Sequence, residues 1–379
     1  MKLGSCSRRR GGRVVEGDGL ENRYSEQSGS WVRIPPSPPY PGSYHHEGAM
    51  KHSYLGKTGV KVSQLCFGTM SFGGDADADE SAAMFRLCRE KGINFFDCAN
   101  VYQHGRAEEI LGDLIRDCRD EVVITSKVYF PMGDDVNARG ASRLHIMNAV
   151  EASLKRLGTG HIDIYFIHRF DDDTPLDETL RALDDLVHQG KIRYIGASNL
   201  AAWQAAKALG ISERDHLAAF VCLQPMYNLV KRQAEVEIFP LALSENLAVI
   251  PYSPLGGGLL TGKYSASEVP RSGRLLENKM YATRYKAEWM HAAAEAFAEL
   301  AKKRGLEAAG LAVAWAAAHP AVTAPIIGAR SCSQLQGSLR ALEIEMTPEL
   351  YSEIATLSPE PPPATDRNEE RTAFNYGTR

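Results

Sequence analysis

Several features are missing from this 379-residue sequence, and each absence excludes a class of function. No run of apolar residues approaches the roughly 18–20 that a helix needs to cross a bilayer, so a membrane partner is not expected. There is no surplus of basic residues: 43 Lys and Arg stand against 47 Asp and Glu, a formal net charge of -4. Bulk nucleic-acid binding would show as a basic stripe, and none is present. The seven cysteines are odd in number and contain no C-x-x-C pair, which argues against a disulfide framework or a thiolate metal site. Cys66, Cys88, Cys98 and Cys222 sit in apolar or amphipathic segments and read as small core residues of a cytoplasmic protein.

Periodicity is missing too, from residues 1–49. That stretch carries Ile34-Pro35-Pro36-Ser37-Pro38-Pro39 and no apolar core of a secretory signal. Disorder is the expectation, in preference to a polyproline ligand for a partner domain. Back-translated, Gly12–Gly17 and Val32–Pro35 resemble the D-arm and T-arm of a bacterial serine tRNA gene. The extension is therefore read as upstream read-through, with the natural start at Met50. A native protein whose mass places its terminus at Met1 would exclude that reading.

What is present begins at about residue 60, where short apolar runs alternate with amphipathic stretches. The spacing predicts strands at Gln64–Thr69, Asn94–Ala99, Val122–Val128, Asp163–His168, Tyr194–Asn199, Phe220–Gln224, Ala248–Ser253 and Thr323–Gly328. It predicts helices near 80–91, 107–117, 142–157, 177–189, 200–209, 235–245, 288–304 and 331–342. Eight strand–helix units describe a (β/α)₈ barrel of α/β class. A doubly wound open sheet is the runner-up, but no G-x-G-x-x-G follows the first strand. Ahead of the first unit, Tyr54–Val62 reads as a hairpin that closes the bottom of the barrel. The barrel domain is expected over 50–358, with a C-terminal tail, 359–379, near the substrate site. The connection 254–287 is long enough to be a functional loop.

In such a barrel the chemistry gathers where strands end. Asp97 closes the second strand, Lys127 the third, His168 the fourth, Ser198 and Asn199 the fifth, Gln224 the sixth, and Tyr252 and Ser253 the seventh. A lone polar residue at a strand end is a cap; six ends in a row point to a site. A lysine beside a tyrosine stabilises the phenolate and is expected to lower the phenol pKa, while an aspartate fixes the ammonium. A histidine can then donate to a carbonyl oxygen as charge develops.

These residues also carry a resemblance. Asn94-Phe95-Phe96-Asp97-Cys98-Ala99-Asn100-Val101-Tyr102, with Gly105, Glu108, Glu109 and Gly112 after it, resembles the opening motif of the aldo-keto reductases. So do Ile124–Lys127, Asp163–His168, Lys191–Asn199, Gln224–Asn228, Pro251–Leu255 and Pro325–Arg330, in order, from about Tyr54 to Ala341. The similarity is nearest to the branch of bacterial reductases and potassium-channel β-subunits. It implies NADPH-dependent reduction of an aldehyde or ketone, with Tyr102 as proton donor, Asp97 and Lys127 tuning it, and His168 polarising the carbonyl. It implies NADPH/NADP⁺ contacts from Gly68, Thr69, Ser198, Asn199, Gln224, Tyr252, Ser253, Pro254, Leu255, Gly257, Lys263, Gly328, Arg330 and Gln334. Arg330 would meet the 2′-phosphate largely alone. Met70, Phe72, Tyr129, Arg169 and Asn228 would line a pocket for a bulky or hydrophobic carbonyl, with Phe130 and tail residue Phe374 or Tyr376 as further walls. A xenobiotic or reactive aldehyde suits such a pocket. No metal is implied.

Two sequence details qualify the resemblance. Gly257–Lys263 nearly spells a P-loop but continues to Tyr264, where magnesium binding needs Ser or Thr. Gly337 and Ser338 stand where many relatives carry an acid and Asn to grip adenine. An alternative function keeps the same site: a regulatory subunit that senses NADPH, as the channel β-subunits do. A barrel lyase or isomerase would need metal or phosphate ligands at the strand ends, and no such cluster is seen.

Overall fold

A computed structural model describes residues 50–264 and 273–364. The expectations for residues 1–49 and for Phe374 and Tyr376 fall outside the described residues. Strands β1 (His52–Tyr54) and β2 (Lys61–Ser63) pair antiparallel, forming the hairpin that the Gly-bearing turn predicts. At that turn Gly56 has φ +54°, and a Cβ there would lie 2.7 Å from the Ala248 backbone nitrogen. Glycine lets the hairpin seat directly on the barrel's lower rim.

Eight parallel strands follow: β3 (Cys66–Gly68), β4 (Phe95–Asp97), β5 (Val123–Val128), β6 (Ile162–Ile167), β7 (Ile192–Ser198), β8 (Phe220–Gln224), β9 (Ala248–Val249) and β10 (Ile326–Ile327). Their spatial order is β10-β3-β4-β5-β6-β7-β8-β9. The two outer strands meet through Thr323 N–H to Val249 O and Ile326 N–H to Pro251 O, both 2.8 Å. Those bonds close the ring, and the architecture is the (β/α)₈ barrel. All eight predicted strand segments hold a strand, although β9 and β10 are only two residues long.

Side chains alternate along each strand, and this alternation builds the site. Cys66, Phe95, Ile164, Phe166, Cys222, Ala248, Ile250, Ala324 and Ile326 pack together as the interior core. The next inward position up each strand is Gly68, Asp97, His168, Gln224, Tyr252 or Gly328. On β7 the space inside is kept by Gly196, where a Cβ would drive into the Phe166 ring. The opposite faces bury a larger core, including Phe67, Phe96, Ile124, Ile167 and Leu223, beneath the helices.

Every predicted helical segment holds a helix, and the caps explain several ends. Ser142 Oγ accepts from His145 N–H to start Arg143–Leu157, which stops at Gly158 with φ +60°. Four α-helices were not anticipated, of which two, Arg274–Glu277 and Lys279–Arg284, are short pieces inside the long connection. Ala308–Ala317 is buried from Gly310 through Ala316, so it has no polar stripe and no amphipathic period to read. Pro348–Ala355, capped by Thr347, lies beyond the expected last unit. Among the described residues, no helix is long and apolar enough to cross a membrane.

Candidate active site

Asp97 is the last residue of β4, and Thr125 is its register partner on β5. Lys127 lies two residues further along β5, on the same face, and is fully buried. Its ammonium has three N–H donors, and the structure supplies three acceptors. These are Asp97 Oδ2 at 2.6 Å, the Cys98 carbonyl at 2.7 Å and Tyr102 Oη at 3.3 Å. The other carboxylate oxygen, Asp97 Oδ1, accepts from Thr125 Oγ1 at 2.7 Å and Gln224 Nε2 at 2.9 Å. The pair is therefore fully hydrogen-bonded, which a buried ion pair requires. Burial is the largest single influence on the Lys127 ammonium and pulls it down, but the charge and hydrogen bond of Asp97 together with Tyr102 outweigh it and hold the group above its ordinary value.

Tyr102 stands at the head of a short helical turn, Tyr102–Gly105, in which Gln103 and His104 both adopt positive φ, 48° and 52°. Two successive non-glycine residues in that region store strain, and they aim the phenol back at Lys127. Because Tyr102 Oη accepts from the ammonium, its own O–H points to a different partner. The expectation that Lys127 lowers this phenol's pKa is corrected here: burial raises it by more than Lys127 lowers it. Tyr102 is thus a fully protonated phenol at neutral pH.

His168 follows β6 and packs edge-on against Tyr102, 6.1 Å between ring centres, and against Phe130 at 4.9 Å. Burial and then the Lys127 charge hold its imidazole well below the ordinary value, so it is neutral. Its Nδ1 is buried without a partner. The His168 carbonyl accepts from Asn199 Nδ2 at 2.9 Å, and Asn199 Oδ1 accepts from Tyr252 Oη at 2.7 Å.

The remaining candidates divide. Ser253, Leu255 and Gly257 are partly open around the first turn of the long connection. Gly257 has φ +69° within a short helical turn, so Gly257–Lys263 is not a phosphate loop leading into a long helix. Gly328 is exposed, with only Gly68 O near its Cβ direction, at 3.7 Å. Met70, Tyr129 and Arg169 are at least partly exposed, the Arg169 guanidinium lying 5.8 Å from the Tyr129 ring centre. Four groups are placed otherwise than expected. Phe72 is fully buried, 5.8 Å from the Phe67 ring in the core under the helices. Asn228 is also fully buried, donating to Ser253 O and Tyr285 Oη. Both are framework, not pocket wall. Thr69 spends its buried hydroxyl on the Asp97 carbonyl, and Pro254 is buried beside the turn.

Arg330 is not alone. Its Nε contacts Asp75 Oδ2 at 2.9 Å and its Nη1 lies 3.6 Å from Glu277 Oε2, while its backbone N–H donates to Gln334 Oε1 at 3.1 Å. Lys263 is held below its ordinary value by burial, then by the Arg330 and Arg274 charges. Three cations thus share one region, across the long connection and the end of β10. Asp75 escaped the sequence reading because it lies in a loop, and Arg274 and Glu277 because the single helical turn they bound is too short to show a period. Thr125 could have been found, since it sits at the same parity as Lys127. Among the described residues, no group of three or more His, Cys, Asp or Glu is placed to hold a metal ion.

The comparisons with known proteins agree on the class. The family model described as "Aldo/keto reductase family" matches residues 64–359. An uncharacterized oxidoreductase of Bacillus subtilis is 37% identical over 82% of this chain and 97% of its own length. A probable voltage-gated potassium channel subunit beta of Arabidopsis thaliana is 38% identical over 78% of this chain and 92% of its own. Versiconal hemiacetal acetate reductase of Aspergillus parasiticus is 33% identical over 79% and 94%.

Proposed function

This chain belongs to the aldo/keto reductase family, and we propose that it reduces an aldehyde or ketone to the alcohol, with NADPH as cofactor and Tyr102 as general acid. The observation that carries this is the saturated Lys127 ammonium, which takes one lone pair of Tyr102 Oη and leaves the phenol proton to be given away. The cofactor fits on two counts. The exposed Gly328 leaves open space, and Lys263, Arg274 and Arg330 gather three positive charges against the two carboxylates of Asp75 and Glu277. When bound, NADPH supplies the hydride. Arg330, Lys263 and Arg274 would hold its phosphates, Tyr252 would stack on its ring, and Asn199 would face its carboxamide, while buried Ser198, whose hydroxyl donates to the Gln224 carbonyl and accepts from Asn199, would position Asn199. Gln224 is already engaged with Asp97, so its first task is to position that carboxylate.

Neutral His168 orients the substrate oxygen through its N–H. As negative charge gathers on that oxygen, Tyr102 passes its proton across. An alkoxide is a stronger base than any phenolate, so the transfer runs downhill even from a phenol with a raised pKa. Lys127 then stabilises the phenolate that remains, and Asp97 holds Lys127 in place. The purified protein should oxidise NADPH against a panel of aldehydes and ketones. The relatives named as channel subunits favour a second reading, a sensor that binds NADPH; binding without turnover across the whole panel would support it.

Two further results are expected. Burial and the Lys127 charge keep His168 neutral well below its usual range, and Tyr102 keeps its proton above the usual phenol range. The kcat/KM of reduction should therefore stay flat from about pH 6 to about pH 9. An inflection near the ordinary histidine value would count against a neutral His168. For the cofactor, Arg330→Ala should weaken NADPH by about tenfold or more and NADH by much less. Glu277→Gln, which removes a carboxylate competing for Arg330, should tighten NADPH selectively in fluorescence titrations. Equal changes for both cofactors would refute the 2′-phosphate assignment.

A further inference from the structure

A second cleft, of about 360 Å³, opens behind the turn that carries Tyr102. Its walls come from the connection after β5 and from the helix Arg143–Leu157. None of its lining residues belongs to the Asp97, Tyr102, Lys127 and His168 group. Two of them are buried polar side chains with atoms that satisfy nothing. Asn100 is 1% exposed, and neither its amide nitrogen nor its amide oxygen has a partner. His145 is 4% exposed and its Nε2 has none. A buried polar group without a partner is costly, and Asn100 and His145 both line this cleft, so the two orphaned side chains need an explanation.

The chemistry of the walls narrows what could satisfy them. Asn100 presents a donor and an acceptor side by side, so its complement carries an acceptor and a donor in the same spacing. The Arg156 guanidinium on the wall is committed to Glu108 at 2.7 Å and Ser153 at 3.3 Å, and Asp135 contributes a carboxylate. No free positive charge is left to attract an anion. Met132, Leu144, Ala149 and Ala152 supply an apolar surface for the rest of the molecule. We propose that this cleft binds a small uncharged molecule through an amide, lactam or urea edge held by Asn100, with its apolar body against Met132, Leu144 and Ala149. Burial keeps His145 neutral, which suits it to the same uncharged partner.

The position has a consequence for the catalytic turn. The Asn100 backbone N–H donates to the Lys127 carbonyl at 3.3 Å, and the Cys98 carbonyl holds the Lys127 ammonium. An occupant gripping the Asn100 side chain would therefore stiffen the segment from Cys98 to Tyr102 from outside the barrel.

Benzamide is the probe, with benzoate as the charged control, titrated calorimetrically into the full-length protein. Benzamide should bind at or below millimolar concentration, and benzoate about tenfold more weakly or worse. Asn100→Leu should lose about tenfold or more of the benzamide affinity. It should also raise the thermal midpoint of the free protein, because it removes the orphaned amide. Ala152→Phe fills the cleft from its rim without touching Asn100, and should abolish binding by itself. No benzamide binding at about 10 mM would overturn the proposal, as would affinity unchanged in Ala152→Phe. Benzoate binding as tightly as benzamide would overturn the assignment of an uncharged ligand.

Discussion

On the proposed function, Tyr102→Phe should lower the rate of carbonyl reduction by about 10²–10⁴ and leave NADPH affinity within about twofold of the wild type. The ring remains, with its edge-on contact to His168 at 6.1 Å, so the shape of the site is kept. Only the hydroxyl is lost, and with it the single donor whose lone pair is already taken by Lys127. The loss should fall on kcat, because the proton matters only as the alkoxide forms. Stopped-flow single turnover with wild type and variant side by side separates chemistry from binding. A variant that turns over at the wild-type rate would remove Tyr102 from the mechanism and leave the proton to His168 or to the N–H of Lys127 that the substitution frees.

Lys127→Met costs about 3–5 kcal/mol of stability, in addition to the activity it abolishes. The substitution keeps much of the volume and removes the charge. The Asp97 carboxylate, with its side chain 3% exposed, is then buried without a cation. Thr125 and Gln224 still donate to Oδ1, but Oδ2 loses its partner at 2.6 Å. The Cys98 carbonyl is orphaned as well. Urea denaturation should show the midpoint shift, and Lys127→Met/Asp97→Asn should recover part of it, since removing both charges costs less than stranding one. A single variant as stable as the wild type would mean that solvent reaches Asp97.

The legibility of this site in the sequence has a simple physical basis. Parallel strands alternate in and out, so a polar residue two positions beyond a buried apolar one marks the mouth of the barrel. Phe95 then Asp97, Phe166 then His168, and Cys222 then Gln224 all follow that rule. What escaped lies where no period exists. Asp75, Arg274 and Glu277 meet Arg330 or Lys263 only because a loop and a one-turn helix from distant parts of the chain converge. Phe72 and Asn228 were misplaced because a residue just past a strand can turn either way, and only packing decides which. The phenol pKa was misjudged for a different reason: the charge of Lys127 can be read from sequence, but the depth of burial that opposes it cannot.

The staves of this barrel are unequal in length. β5, β6 and β7 run six, six and seven residues, whereas β9 and β10 run two each. Lys127, His168 and Ser198 are mounted on the long staves, and Tyr252, Gly328 and Arg330 extend from the short ones. On the proposed function, Lys127 and His168 rest on the long staves, Asp97 and Tyr102 extend from the three-residue β4 beside them, and the phosphate-binding side chains would lie along the short-staved seam. Amide exchange should be fastest along that short-staved seam and should slow there when nucleotide binds. On that reading, loading and release of the cofactor would loosen the short-staved seam while Lys127 and His168 keep their places.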